Sequence, residues 1–134
     1  MNETIKLSHQ LGGYNETIFG QPLGDNVAVL INIPHALNIG KGDIVEYDEK
    51  LCIIRVICRG TKTAGGKYKP KNGLIKAISF QHELTDHLKR FSIEIEFISD
   101  NMFSMSVPLN MTTQKLQEIV RDCPMQFDLY LERK

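Results

Sequence analysis

Residues 92–107 read S-I-E-I-E-F-I-S-D-N-M-F-S-M-S-V. Successive side chains of an extended chain point to opposite faces, so Ile93, Ile95 and Phe97 fall on one side and Glu94 and Glu96 on the other. Phe103, Met105 and Val107 alternate in the same way with Met102, Ser104 and Ser106, and Asp100-Asn101 supplies the turn between the two runs. The stretch is therefore a hairpin with one apolar and one polar face, and the apolar face has to be covered.

The flanking sequence offers two helices for that cover. Upstream, Leu84, Leu88 and Phe91 recur at helical spacing across residues 83–90. Downstream, Thr112 and Thr113 can cap a helix whose apolar stripe is Leu116, Ile119, Val120 and Cys123 and which Pro124 ends. Residues 74–80 read as a strand, and Phe127, Leu129 and Leu131 alternate as a last one. Residues 73–134 thus carry the order strand, helix, strand, strand, helix, strand, a ferredoxin-like βαββαβ half.

The chain before it has another character. Residues 5–9, 16–21, 26–33, 43–47 and 51–58 are short, rich in Val and Ile, and separated by Gly12-Gly13, Gly24-Asp25-Asn26 and Asp48-Glu49-Lys50. Even spacing with tight turns predicts a small antiparallel sheet or barrel over residues 1–60. Ile18 and Phe19 are read as core-edge residues. Between the halves, residues 61–72 (TKTAGGKYKPKN) hold three glycine or proline residues and no aliphatic side chain larger than Ala, which predicts an exposed basic loop or linker. The expected fold class is α+β.

Composition limits the function classes. Hydrophobic residues make up 42% and charged residues 24% of 134, which argues against disorder and against a membrane protein. Residues 1–6 show neither a basic n-region nor an apolar h-region, so a cytoplasmic location is expected. Cys52, Cys58 and Cys123 are odd in number and lie in apolar surroundings, which predicts buried free thiols.

The motifs of nucleotide, zinc-protease and serine-hydrolase sites are missing from the sequence. Gly65-Gly66-Lys67 lacks the first glycine of a phosphate loop and the hydroxyl residue after its lysine. His82 and His87 stand five apart and point in different directions on a helix, and neither His9 nor His35 has a local carboxylate partner. No catalytic residue, metal or cofactor is expected, and the reading is that of a non-enzyme.

Two charged groups are candidates for binding. Asp43, Glu46, Asp48 and Glu49 cluster around a turn, and Glu94 with Glu96 shares one strand face, so these six are candidate contacts for a basic protein partner. Lys62, Lys67, Tyr68, Lys69 and Lys71 combine charge with an aromatic, the ingredients for a ligand or nucleic-acid contact. The formal net charge of zero argues against nucleic acid.

Three short pieces, Gln21-Pro22-Leu23-Gly24, Asn32-Ile33-Pro34 and Gly42-Asp43-Ile44-Val45-Glu46, resemble a bacterial family known as domain of unknown function four-two-six-five. Phe19 stands where that family commonly has Trp, and His35-Ala36 where it has an aromatic pair. The resemblance implies a β module followed by a βαββαβ half, and no catalytic residues. Small proteins of this kind also resemble immunity proteins that neutralise nuclease toxins. The expectation is thus a protein-binding module, an immunity protein acting on a cognate toxin, either monomeric in that complex or a small homo-oligomer. The alternative is a regulator that binds a small molecule or nucleic acid beneath the basic segment.

Overall fold

The computed structural model describes residues 3–11, 13–70, 77–98, 102–121 and 125–131. Five strands, β1 (Ile5–Leu11), β2 (Tyr14–Gly24), β3 (Val27–Leu30), β4 (Ile44–Tyr47) and β5 (Ile53–Cys58), form one antiparallel sheet in sequence order. Asp25-Asn26 makes the tight turn between β2 and β3, with Asn26 at φ 62°, a conformation Asn tolerates better than most residues. The sheet curls until its ends meet: Ser8 N donates to Leu51 O at 2.8 Å, and Ser8 bridges Cys52 in parallel. Of the two forms expected of the first half, a small antiparallel sheet or a barrel, this is the barrel.

Inside it, Leu7, Ile18, Ala28, Leu30, Ala36, Ile39 and Val45 form the core. Ile18 points inward and Phe19 outward, 36% exposed. Strand β5 is bulged twice: Cys58 and Val56 pair with consecutive residues Ile44 and Val45, and Arg55 and Ile53 with Glu46 and Tyr47. Ile57 and Ile54 are the extra residues, 46% and 60% exposed. The thiols of Cys52 and Cys58 are free, but Cys52 is half-buried and Cys58, beside the bulge at Ile57, is exposed, which corrects the expectation that both are buried. Cys123 lies outside the described residues.

The second sheet contains β6 (Thr61–Pro70), β7 (Glu94–Phe97), β8 (Met102–Pro108) and β9 (Met125–Leu131), in the order β7-β8-β6-β9 with every neighbouring pair antiparallel. Helices α1 (Ala77–Lys89) and α2 (Thr113–Arg121) supply Leu84, Leu88, Leu116, Ile119 and Val120 to a core shared with Ala64, Ile93, Phe103, Met105 and Val107. The alternation read from residues 92–107 is the one observed, with Phe103, Met105 and Val107 all buried. The fold is α+β.

Two readings are corrected. Residues 61–70 are no linker but β6, paired on both sides, by β8 and β9. The strand lacks large aliphatics because both its faces are closely covered: Ala64 meets the helix-side core, and Thr63 and Gly65 are buried under a loop on the other face. Residues 77–80, read as part of a strand, belong to α1, while 74–76 lie outside the described residues. A short apolar run does not distinguish strand from buried helix by periodicity.

Candidate functional site

The loop of residues 31–43 leaves β3 and crosses the polar face of the second sheet before β4 begins. Almost every bond that fixes it is directional. The Glu16 carboxylate accepts from His35 N (3.0 Å) and Ala36 N (2.9 Å), and Asn32 Oδ1 accepts from Phe19 N. Ser104 Oγ donates to Pro34 O, Thr63 Oγ1 to Ile39 O and Thr61 Oγ1 to Lys41 O, each at 2.6 Å. His9 Nε2 lies 3.0 Å from Asn38 Oδ1. The hydroxyls of the polar sheet face, which in sequence look like wetted surface, are thus spent on carbonyl groups of the loop, as buried polar groups require.

At the loop's far end sits Asp43, fully buried. Its Oδ2 accepts from Gly40 N at 2.8 Å and its Oδ1 from Gly60 N at 2.7 Å, with the Arg59 guanidinium 3.6 Å away. Burial pushes the carboxyl above its ordinary value, against the opposing pull of the Gly60 and Gly40 N–H groups and of Arg59. Here the backbones approach so closely that a Cβ on Gly40 would stand 2.3 Å from Thr61 O, and one on Gly60 2.3 Å from Gly42 C.

The loop seals only part of the sheet face. Beyond Ser104 and Thr63 it leaves a cleft of about 400 Å³, lined by His35, Leu37, Gly65, Gly66, Lys67, Ile98, Met102 and Phe103. Register explains the grouping: Gly65 lies opposite Ser104 and Lys67 opposite Met102, while Ile98 N donates to Met102 O and brings the end of β7 alongside. Gly65 and Gly66 give the floor no side chain. Ile98 and Met102 are 37% and 42% exposed, so two large apolar side chains face open space on one wall. His35 and Lys67 are the titratable side chains of the lining.

The acidic residues singled out from sequence do not form one patch. Asp43 is buried and holds two loops together, so it does not meet a partner, a correction that follows from the three donors gathered around it. Asp48 Oδ1 accepts from Lys50 N and Cys52 N and shapes the β4–β5 turn. Glu46 pairs with Arg55 at 2.6 Å and Glu94 with Lys41 at 2.5 Å, while Glu49 and Glu96 are exposed.

Of the basic group, Lys67 reaches the cleft, and Lys62 Nζ donates to Met111 O on the other side of the sheet. Tyr68 and Lys69 belong to β6 by backbone, with their side chains outside the described set, and Lys71 is outside the described residues. His87 lies against α2, its Nε2 3.4 Å from Ile119 O, and packs edge-on to Phe91. Among the described residues no group of His, Cys, Asp or Glu side chains could hold a metal ion. Sequence reading did not select Leu37, Ile98 or Met102. One signal was present: Met102 alternates in phase with Ser104 and Ser106, a large apolar residue on a polar face.

Fold and cleft together define an α+β protein of two antiparallel sheets with an open, apolar-walled cavity beside their junction. No protein-family model and no curated protein matches the chain. It is similar in fold to a solved structure of a hypothetical protein from Neisseria gonorrhoeae, with 19% identity, a TM-score of 0.63, and coverage of 96% of this chain and 93% of that one. Both the barrel and the helix-covered sheet therefore recur together. Among the described residues no helix is long and apolar enough to cross a membrane.

Proposed function

We propose that the chain is a cytoplasmic binding protein, not an enzyme, and that its site is the cleft beside the 31–43 loop, which takes a small, mainly apolar molecule. One observation carries this reading. The loop is bonded down tightly along most of its course, yet leaves a cavity in the size range of small-molecule sites, with the side chains of Leu37, Ile98 and Met102 in its lining. The second half is best understood as ferredoxin-like, a reading supported by the strand order β7-β8-β6-β9 and by helices that follow β6 and β8.

Two-dimensional NMR with a small-molecule library tests the proposal. Hits are expected to move the Gly65, Gly66 and Met102 resonances, and Met102→Trp, which fills the cleft, is expected to abolish the response. Hits that leave those signals in place would show that the cleft is not the site.

A second reading rests on a separate surface. Ile54 and Ile57 stand exposed on β5, the last strand of its sheet, and Glu49 is exposed in the β4–β5 turn. Exposed large aliphatics at a sheet edge favour a protein partner, and an immunity protein binding a cognate toxin fits that surface. Affinity capture with wild type and with the Ile54→Ser, Ile57→Ser double variant decides it. A stoichiometric partner retained equally by both would exclude β5 as the contact.

A further inference from the structure

The proposed cleft places one ammonium group on an otherwise apolar wall. Lys67 is exposed, and on the same sheet face Glu94 is engaged by Lys41 while Glu96 is exposed. Asp128 of β9 is the acid opposite Lys67 in register. From Lys67 the lining runs through Met102 and Ile98 on one side and Leu37 on the other, and His35 adds an imidazole able to donate a hydrogen bond.

We infer that the ligand is a monoanionic amphiphile, an apolar chain or ring bearing one acidic group, with the acid against Lys67 and the apolar part between Leu37, Ile98 and Met102. This rests on the cleft reading and sharpens it to a chemical class. Apolar walls bind by area and choose little between neutral molecules of similar shape. A single cation beside a low-dielectric wall concentrates its field in the cavity, so charge decides among ligands with the same tail. An amine-headed ligand meets repulsion, and an alcohol lacks the ion pair.

The test uses three probes with one tail, octanoate, 1-octanol and octylamine, titrated by NMR into the full chain and into Lys67→Met, which keeps the length of the side chain and removes its charge. Octanoate is expected to bind roughly fivefold more tightly than 1-octanol, the strength of one partly exposed ion pair, and octylamine more weakly than either. Lys67→Met is expected to lower octanoate affinity to that of 1-octanol and to leave 1-octanol unchanged. Lys67 is exposed, and an unaltered thermal unfolding curve establishes that the variant folds. Equal binding of octanoate and 1-octanol at the cleft, or an octanoate preference that survives Lys67→Met, overturns the anionic inference and leaves the cleft as an apolar site. If none of the three moves Gly65, Gly66 or Met102, the cleft reading falls, and this inference with it.

Discussion

The barrel builds its core from strands and one loop, with Ala28, Ala36 and Val45 among the seven buried apolar side chains described there, whereas the helix-covered sheet gathers ten among its described residues, Phe103 and Met105 included. The two cores do not merge. Between them lies a layer of Thr61, Thr63, Ser104, Ser106 and Asp43, whose oxygens bond to one another and to the 31–43 loop and Gly60. Apolar burial is non-directional and stabilises each half by itself. The joint between halves depends on direction, so the loop can sit in one register only, and the cleft beside it is held in shape by bonds that lie outside it.

The largest effect is expected where backbones touch. Gly40→Ala and Gly60→Ala each drive a methyl group into main-chain atoms at 2.3 Å, and chemical denaturation should show a loss of about 3 kcal/mol. Gly24→Ala, with nothing within 4 Å of the new carbon, should stay within about 0.5 kcal/mol of wild type. Equal effects at the two kinds of position would refute the view that the junction is close-packed.

Asp43→Ala comes next, because it strips the Gly40 and Gly60 N–H groups of their acceptor; a loss of about 2–3 kcal/mol is expected. Asp43 also makes the joint pH-sensitive. Its folded-state carboxyl sits above the ordinary 3.8, so the stability it contributes is complete below that pH and is lost as pH rises through the folded value. Asp43→Asn does not titrate. Its deficit relative to wild type should therefore be greatest below about pH 3.8 and narrow toward neutrality. A gap that widens with pH would reverse the assigned direction.

Much of this contrast was legible in the sequence, and its centre was not. Alternation exposes a strand only where one face is apolar, as at Ile93, Ile95 and Phe97. Strand β6 offers Thr61, Thr63 and Gly65 to a loop and Ala64 to a core, so neither face shows large apolar residues, and the segment reads as a linker. Acidic residues posed the same difficulty: Asp43 and Glu49 look alike in sequence, yet one is buried among three donors and the other is in solvent. The cleft depends on where a loop stops, which no local pattern encodes.

Thr63→Val and Ser104→Ala separate joint from cores more gently. Each leaves a loop carbonyl without its hydroxyl, at about 1 kcal/mol, and hydrogen exchange should quicken in residues 34–41 while α1 and α2 keep their protection. Faster exchange throughout both helices would mean that the halves share one cooperative unit. The smallest effect is a gain. Leu51 holds φ 65° while its carbonyl closes the barrel on Ser8, and its side chain is 40% exposed, so Leu51→Gly should raise stability by about 0.5–1 kcal/mol. A loss in thermal unfolding would show that Leu51 contributes more by packing than it costs in strain.

The doubled bulge of β5 bears on solubility. A regular open edge is a template on which another chain can add a strand, and that chain can template the next. Two interruptions within a six-residue strand break the spacing of its N–H and C=O groups, so an incoming strand cannot stay in step along it. The chain can thus display Ile54 and Ile57 without seeding fibrous growth. Any protein that recognises this edge must grip its side chains and not extend its sheet.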